Sequence, residues 1–463
     1  MSVPHTRSFT ETDVQRLRRG GSLHFNHYGR PPLPFACVGA QGIEMDVADL
    51  TAEGRGRVLR LIDTSGGYGS ACLGAGHHVV RHALRRAVDE CGYVTDELGS
   101  QERAALLDRL FGPAGIWSHR FPAQDYHVSG RNSGSEGMEM ALRLVLESRF
   151  DARRLRHRPG RERRDTILAF QGAWHGWTHG LVPLLNRRHY RVGLPAADSA
   201  QEFGIQVEHI PFGDPDSLAT FFSARADRLL AVVVEPIQGD AGILLPPPGY
   251  LRDLSRRCAD HGVLLVADEV LTFGKSGDFF AMADEDGPVP TDITVIGKYL
   301  GMGVLSTSMV IARRGLTVRG SGTVATSDLR PVTCAVIHDG LDHLVRGRLV
   351  EDSGALGDHL ADLVDTGLVR RFPEVFSERR GVGVLHGVEL TSRAAARLGE
   401  LRTELIRAGV YVEFMAGAGK RSGGLRYVHP TMRIAPPLVT TRAQLDEIVD
   451  RIATGTRTFQ SAG

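Results

Sequence analysis

Between about Val58 and Gly340, short apolar runs rich in β-branched residues alternate with longer stretches whose apolar positions return every three or four residues. The runs at 166–170 (TILAF), 229–235 (LLAVVVE), 262–268 (GVLLVAD) and 292–297 (DITVIG) carry few polar side chains. Such runs predict strands buried on both faces of a mainly parallel sheet. The stretches between them read as helices, among them 249–258 and 134–147; in the second, Met138, Ala141, Leu142 and Val145 fall on one face. Strand and helix in alternation predict an α/β layered domain. Beyond about Gly340 come helical segments, GVGVLHGVEL, a further helix and MRIAPPLVTTRAQLDEIV, which predict a smaller α+β domain. No internal repeat interrupts this order, and the polar N-terminal stretch reads as a loosely ordered segment or an arm on a partner.

Composition narrows the class. The 463 residues are 42% hydrophobic and 24% charged, ordinary values for a soluble protein. No apolar run approaches the roughly 18 residues that span a bilayer, and the N-terminus lacks the apolar core of a secretion signal. Cytoplasmic residence is the expectation. Cys37, Cys72, Cys91, Cys258 and Cys334 are scattered without CxxC spacing, so they read as reduced thiols, neither a disulfide frame nor a metal site. A net charge of +1 predicts neither nucleic-acid nor membrane affinity. The one basic run, 153–164 (RRLRHRPGRERR), reads as a solvated loop between helix and strand.

One count changes the picture. Of 55 basic residues only Lys275, Lys298 and Lys420 are lysines. Where arginine serves nearly everywhere, a retained lysine points to chemistry that needs an amine able to lose its proton and act as a nucleophile. Lys298 closes the strand run DITVIGK, where a surface turn is the plain alternative. Asp268 ends LLVADEV, thirty residues earlier, with capping of the next turn as its alternative. In parallel α/β sheets ligands bind beyond the carboxyl ends of strands. A carboxylate and an amine delivered there suit a pyridine cofactor, the first holding the ring nitrogen protonated and the second reacting with its aldehyde. Asn132–Ser135 precede a helical stretch, so free N–H groups at Gly134 and Ser135 can face an anion, or simply cap the helix. In FQGAWHGW, Trp174 or His175 can lie on an aromatic ring or merely join the core.

Taken in order, these segments resemble the class III aminotransferases, enzymes of pyridoxal 5'-phosphate (PLP) with the type I fold. The resemblance runs from about Val58 to Ile452 through DTSGGYGSACLGAGH, NSGSE, Trp174–Gly176, EPIQGDAGILLPPPGYL, LLVADEV, the lysine after TVIG, and MRIAPPL. It implies an α/β type I PLP-transferase fold with a large, mainly parallel-sheet domain and a smaller α+β domain drawn from both chain ends. Residues 1–65 then belong to the small domain, 66–340 form the PLP-binding domain, and 341–463 form the C-terminal small domain. It further implies Lys298 as the Schiff-base lysine, Asp268 as partner of the pyridine nitrogen, and Ser133, Gly134 and Ser135 around the phosphate. Trp174 and His175 fall beside the ring and Glu235 near the substrate. Arg433 matches a carboxylate-binding arginine, and Tyr68 falls at the substrate pocket. Thr326 matches a threonine that reaches the phosphate of a neighbouring subunit, which implies a homodimer with shared sites. The implied partners are a small-molecule amino donor and a carbonyl acceptor, with no nucleic acid, membrane or metal.

Departures cluster around the substrate. Leu271 replaces a common Gln, LTFGKSG is one residue short of the usual QTGFGRTG, KYLGMGVLSTS lacks the GGG-Leu-Pro pattern, and TSDLRP replaces Gly-Asn-Pro. They suggest an acceptor other than an ordinary oxo acid, such as a sugar or cyclitol of secondary metabolism. Aminomutase, epimerase and decarboxylase chemistry on the same scaffold remain open. Gly274-Lys275-Ser276 lacks the first glycine of a phosphate-binding P-loop, which excludes that class of nucleotide hydrolase. His78 and His82 have a helical ligand spacing but no glutamate between them, so they read as a polar helix face.

Overall fold

The computed structural model describes residues 9–24, 33–90, 97–151, 156–186, 205–316, 325 and 327–461. Its centre is a seven-stranded sheet. Across it the strands run Tyr126–Arg131, Ser308–Arg313, Ile293–Ile296, Leu264–Glu269, Leu229–Val234, Thr166–Phe170 and Gln206–Ile210. Ser308–Arg313 is antiparallel to both its neighbours, and every other pairing is parallel. The runs Leu229–Val234, Leu264–Glu269 and Thr166–Phe170 are buried at every position, as expected for strands covered on both faces.

Local chemistry sets the helix bounds. Gly134–Glu147 starts at an N-cap Ser133, whose hydroxyl accepts the Glu136 N–H at 3.2 Å, and buries Met138, Ala141, Leu144 and Val145 against the sheet. Tyr250–Asp260 buries Leu251, Leu254 and Cys258 on the sheet's other face. Each fully buried Leu or Val contributes roughly 1.5–3 kcal/mol relative to exposure.

Both chain ends meet in the smaller part. Strands Phe35–Gln41, Glu44–Asp49 and Val58–Asp63 form an antiparallel set, which Val410–Tyr411 extends by pairing parallel to Val58–Asp63. A second sheet joins Phe376–Val382, Leu385–Leu390, Thr431–Ile434 and Glu413–Met415, all antiparallel. Helix Arg442–Ser461 turns Leu445, Ile448, Val449, Ile452 and Phe459 inward, a helical stripe that closes a core with Leu405 and Met432. Pro331–Arg346 is one continuous helix running through residue 340. Among the described residues Cys37, Cys72, Cys258 and Cys334 form no disulfide; Cys91 and Thr326 lie outside the described residues. Among the described residues no helix is long and apolar enough to cross a membrane.

Candidate active site

Strand direction gathers the site. Tyr126–Arg131, Thr166–Phe170, Leu229–Val234, Leu264–Glu269 and Ile293–Ile296 point the same way, so their carboxyl ends share one edge of the sheet. Just past those ends, or at them, stand Ser133–Ser135, Trp174–His175, Glu235, Asp268 and Lys298. Antiparallel Ser308–Arg313 begins at the same edge and adds Ser306 and Thr307. The edge opens into a cavity of about 1180 Å³, lined by all of these residues, by Tyr68, and by Glu413 and Arg433 from the small part. Every site residue expected from the sequence, Thr326 apart, therefore faces one cavity.

Asp268 is held at both oxygens: one lies 2.8 Å from His175 Nδ1 and the other accepts the Val270 N–H at 3.1 Å. Burial opposes charge on His175, yet the Asp268 bond and charge, with Glu235 nearby, raise its pKa. The imidazole thus braces the carboxylate, which leaves Trp174, packed edge-on against Trp177, as the aromatic candidate for the face of a bound ring. His175 Nε2 is buried without a hydrogen-bond partner. The neighbouring Glu269 points away from the cavity and accepts the Ala281 and Met282 N–H groups at 3.0 and 2.7 Å. It secures the fold, whereas Asp268 lines the cavity.

Glu235 accepts the N–H of Trp174 at 2.8 Å and of Gly239 at 3.1 Å. Burial, with the Asp268 charge adding to it, pushes its pKa up to about 7 against the pull of His175 and the two N–H groups. Lys298 sits in the left-handed region at φ 45°, a conformation that costs a non-glycine residue about 1–2 kcal/mol. Its amine is held below the ordinary lysine range by burial and by Arg433, although Asp268, Glu235 and Glu413 pull the other way. A lysine so placed gives up its proton more readily than an exposed one.

Helix Gly134–Glu147 presents its first turn to the same space. Its Gly134 and Ser135 N–H groups have no bonded partner among the described residues, an arrangement that binds anions. Gly134 allows close packing, since a Cβ there would meet Val270 at 2.6 Å. Anion donors, a braced carboxylate, an aromatic wall and a desolvated amine fit the phosphate, ring nitrogen, ring face and aldehyde of PLP. Among the described residues no group of three metal-ligating side chains exists.

Sequence reasoning missed two residues. Glu413 stands directly opposite Arg433 in the antiparallel pair Glu413–Met415 and Thr431–Ile434, and the two buried side chains form an ion pair. A Glu flanked by Val412 and Phe414 on a short strand was the available signal, but the partner depends on register across distant strands. Lys275, counted among the three lysines and in a failed P-loop match but given no role, is fully buried. Its amine lies 3.4 Å from the Tyr299 ring centroid without a hydrogen-bond partner. Of the departures, Leu271 packs over Gly239, where a Cβ would meet it at 2.0 Å. Asp328 accepts the Ser129 hydroxyl at 2.7 Å and the Gly130 N–H at 2.6 Å, so it ties its loop to the sheet.

Comparison with known proteins agrees with this geometry. The family model for aminotransferase class-III matches residues 52–455. A mitochondrial ornithine aminotransferase of Oryza sativa subsp. japonica is 27% identical over 456 residues, covering 95% of this chain and 84% of its own length. Ornithine aminotransferase 2 of Staphylococcus saprophyticus is 28% identical over 436 residues, covering 92% and 96%. In fold, the chain is similar to the Toxoplasma gondii ornithine aminotransferase solved with partial occupancy of PLP. That match has a TM-score of 0.78 at 24% identity and covers 98% of this chain and 96% of that one. An S-selective transaminase from Arthrobacter sp. superposes with a TM-score of 0.74 at 20% identity, covering 96% and 98%. The chain belongs to the class III aminotransferases and is a PLP-dependent transaminase of the type I fold.

Proposed function

We propose that this enzyme takes the amino group from a carboxylate-bearing donor with a terminal amine, such as ornithine, and passes it to a dicarboxylic oxo acid. The observation that carries the reading is the buried amine of Lys298, held below the ordinary lysine range in one cavity with Asp268 and Arg433. PLP, when bound, supplies an aldehyde that takes up the amino group and a ring that withdraws electrons from the substrate carbon. Lys298 would anchor it, then serve as the base that removes the substrate proton and returns it one carbon away. Asp268, braced by His175, would keep a positive charge on the ring nitrogen. The first turn of Gly134–Glu147 would hold the phosphate and Trp174 would cover the ring. Glu413 would mask Arg433 from a donor and yield it to the second carboxylate of the acceptor.

The names of the ornithine-acting relatives and the apolar side chains Leu271, Phe414 and Met415 support this donor. Neither favours the sugar or cyclitol acceptor suggested by the sequence departures, and no contact favours an aminomutase, epimerase or decarboxylase. A homodimer and cytoplasmic residence belong to the same reading. The test is to mix holoenzyme with ornithine and follow cofactor absorbance and product. Conversion to the amine form with release of an aldehyde is expected, and 2-oxoglutarate should reverse the spectrum. Borohydride reduction followed by peptide mapping should find the label on Lys298. A label on Lys275 or Lys420, or carbon dioxide release in place of amino transfer, would overturn it.

A further inference from the structure

Three cationic side chains other than histidine line the cavity among the described residues: Lys298, Arg433 and Arg402. Lys298 is reserved for chemistry in the reading above and Arg433 is paired with Glu413. Among the described residues the Arg402 side chain has neither a hydrogen bond nor an ion pair. Its helix explains why. Within Leu398–Arg407, Arg407 pairs with Glu404 at 2.8 Å, and Arg397, just before the helix, pairs with Glu400 at 2.5 Å. Both acids stand two residues from Arg402, where helical side chains do not face each other. The positions that do face it hold Leu398, Gly399, Leu405 and Ile406.

The half-buried guanidinium therefore belongs to the cavity wall, beside Leu398, which shares its helix face and also lines the space. Phe35, Tyr411, Phe414 and Met415 line the same small-domain side. An unpaired cation on a largely apolar wall is poorly solvated, and an incoming carboxylate gains a charge-assisted, bidentate partner there. Of the four lining acids, Glu235, Asp268 and Glu413 are each bound to other groups, and Asp240 has an interaction of its own.

We propose that Arg402 is the subsite for the donor's carboxylate, gripping it on the small-domain wall while the donor's terminal amine reaches Lys298. The inference rests on the reading that the donor carries a carboxylate. It assigns donor and acceptor carboxylates to different arginines, so one cavity can take both without Arg433 leaving Glu413 in the first half-reaction.

The test compares amines that differ only in the carboxylate: ornithine with 1,4-diaminobutane, and 6-aminohexanoate with pentylamine. Single-turnover absorbance changes of the holoenzyme give kcat/KM for each. Arg402→Leu should lower it roughly 10- to 100-fold for the carboxylate members, mainly through KM, as expected for a lost charge-assisted contact. The plain amines should change less than about 2-fold, and Arg402→Lys should recover part of the loss. Equal losses within each pair would make Arg402 a structural residue and overturn the proposal. So would a preference that survives Arg402→Leu but vanishes in Arg433→Leu, which would assign the carboxylate to Arg433. A wild-type enzyme that does not favour the carboxylate members would instead refute the donor reading, and this inference with it.

Discussion

Glu235 gives the sharpest quantitative expectation. Its carboxyl is buried beside Asp268, and its folded pKa of about 7 lies well above the ordinary glutamate value of 4.5. The folded chain therefore holds this proton more tightly than the unfolded chain. Stability from that proton is fully present below pH 4.5, falls as pH rises through the window up to about 7, and levels off above it. The shift of about 2.5 units corresponds to roughly 3 kcal/mol at about 1.4 kcal/mol per unit. Trp174 and Gly239 donate to different oxygens of Glu235, so a glutamine keeps only one of these bonds, a loss that is the same at every pH, and it cannot ionise. Glu235→Gln should thus gain on wild type by about 2.5 kcal/mol between pH 5 and pH 8. Guanidinium unfolding of the holoenzyme at the two pH values measures it, provided the unfolding slopes match. Parallel profiles for wild type and variant would refute the reasoning, because they would mean that Glu235 keeps the same pKa folded and unfolded.

Asp268→Asn should retain PLP yet lose most of its single-turnover rate, since a neutral amide cannot sustain a positive ring nitrogen; a near-wild-type rate would remove Asp268 from the chemistry. Glu413→Gln should cost about 3–5 kcal/mol of stability in denaturant titration, because Arg433 is left as a buried, uncompensated charge; a change under 1 kcal/mol would mean that water reaches Arg433. Lys275 is buried without a partner, and burial together with Lys298 and Arg433 puts its pKa well below the ordinary lysine value. The unfolded chain then binds the extra proton, so wild-type stability rises with pH through this group. Lys275→Met should flatten that rise and be more stable at pH 7 by about 1–3 kcal/mol; a less stable variant with an unchanged pH slope would refute the expectation.

The fold was legible where local pattern and burial coincide. TILAF forms the strand Thr166–Phe170 and 134–147 forms one helix, because an apolar run covered on both faces and a one-sided apolar stripe each have one favourable solution. Lys298 and Asp268 were legible through lysine scarcity and strand ends, two signals that survive without knowledge of the tertiary contacts. What stayed hidden depends on register between remote segments. Val410–Tyr411 completes a sheet with Val58–Asp63 almost at the other end of the chain, and nothing in either short run names its partner. Glu413 and Arg433 meet only because their strands pair in that register. Arg402 was hidden differently: a chain with 55 basic residues offers no reason to single out one arginine until its helix face is seen to hold no acid.

The features around the cavity share a physical character. Away from the cavity, propensity, capping and burial agree with one another, as in the Ser133 cap and the stripe on Arg442–Ser461. At the cavity and just behind its wall they conflict. Lys298 and Tyr68 adopt left-handed backbone conformations, Glu235 is a carboxyl whose ionisation burial opposes, and Lys275 is an amine without a hydrogen-bond partner. Each opposes folding by an amount on the order of 1–3 kcal/mol, so the cores of both parts must offset them together. Replacing such residues with locally consistent ones should stabilise the chain, and only substitutions at groups that touch substrate or cofactor should lower activity as they do so. Lys275 and Glu235 separate those two cases. Lys275 lies outside the cavity lining, whereas Glu235 is part of it, so equal stabilisation with unequal loss of turnover is the expected signature of strain held for catalysis at one position and tolerated by packing at the other.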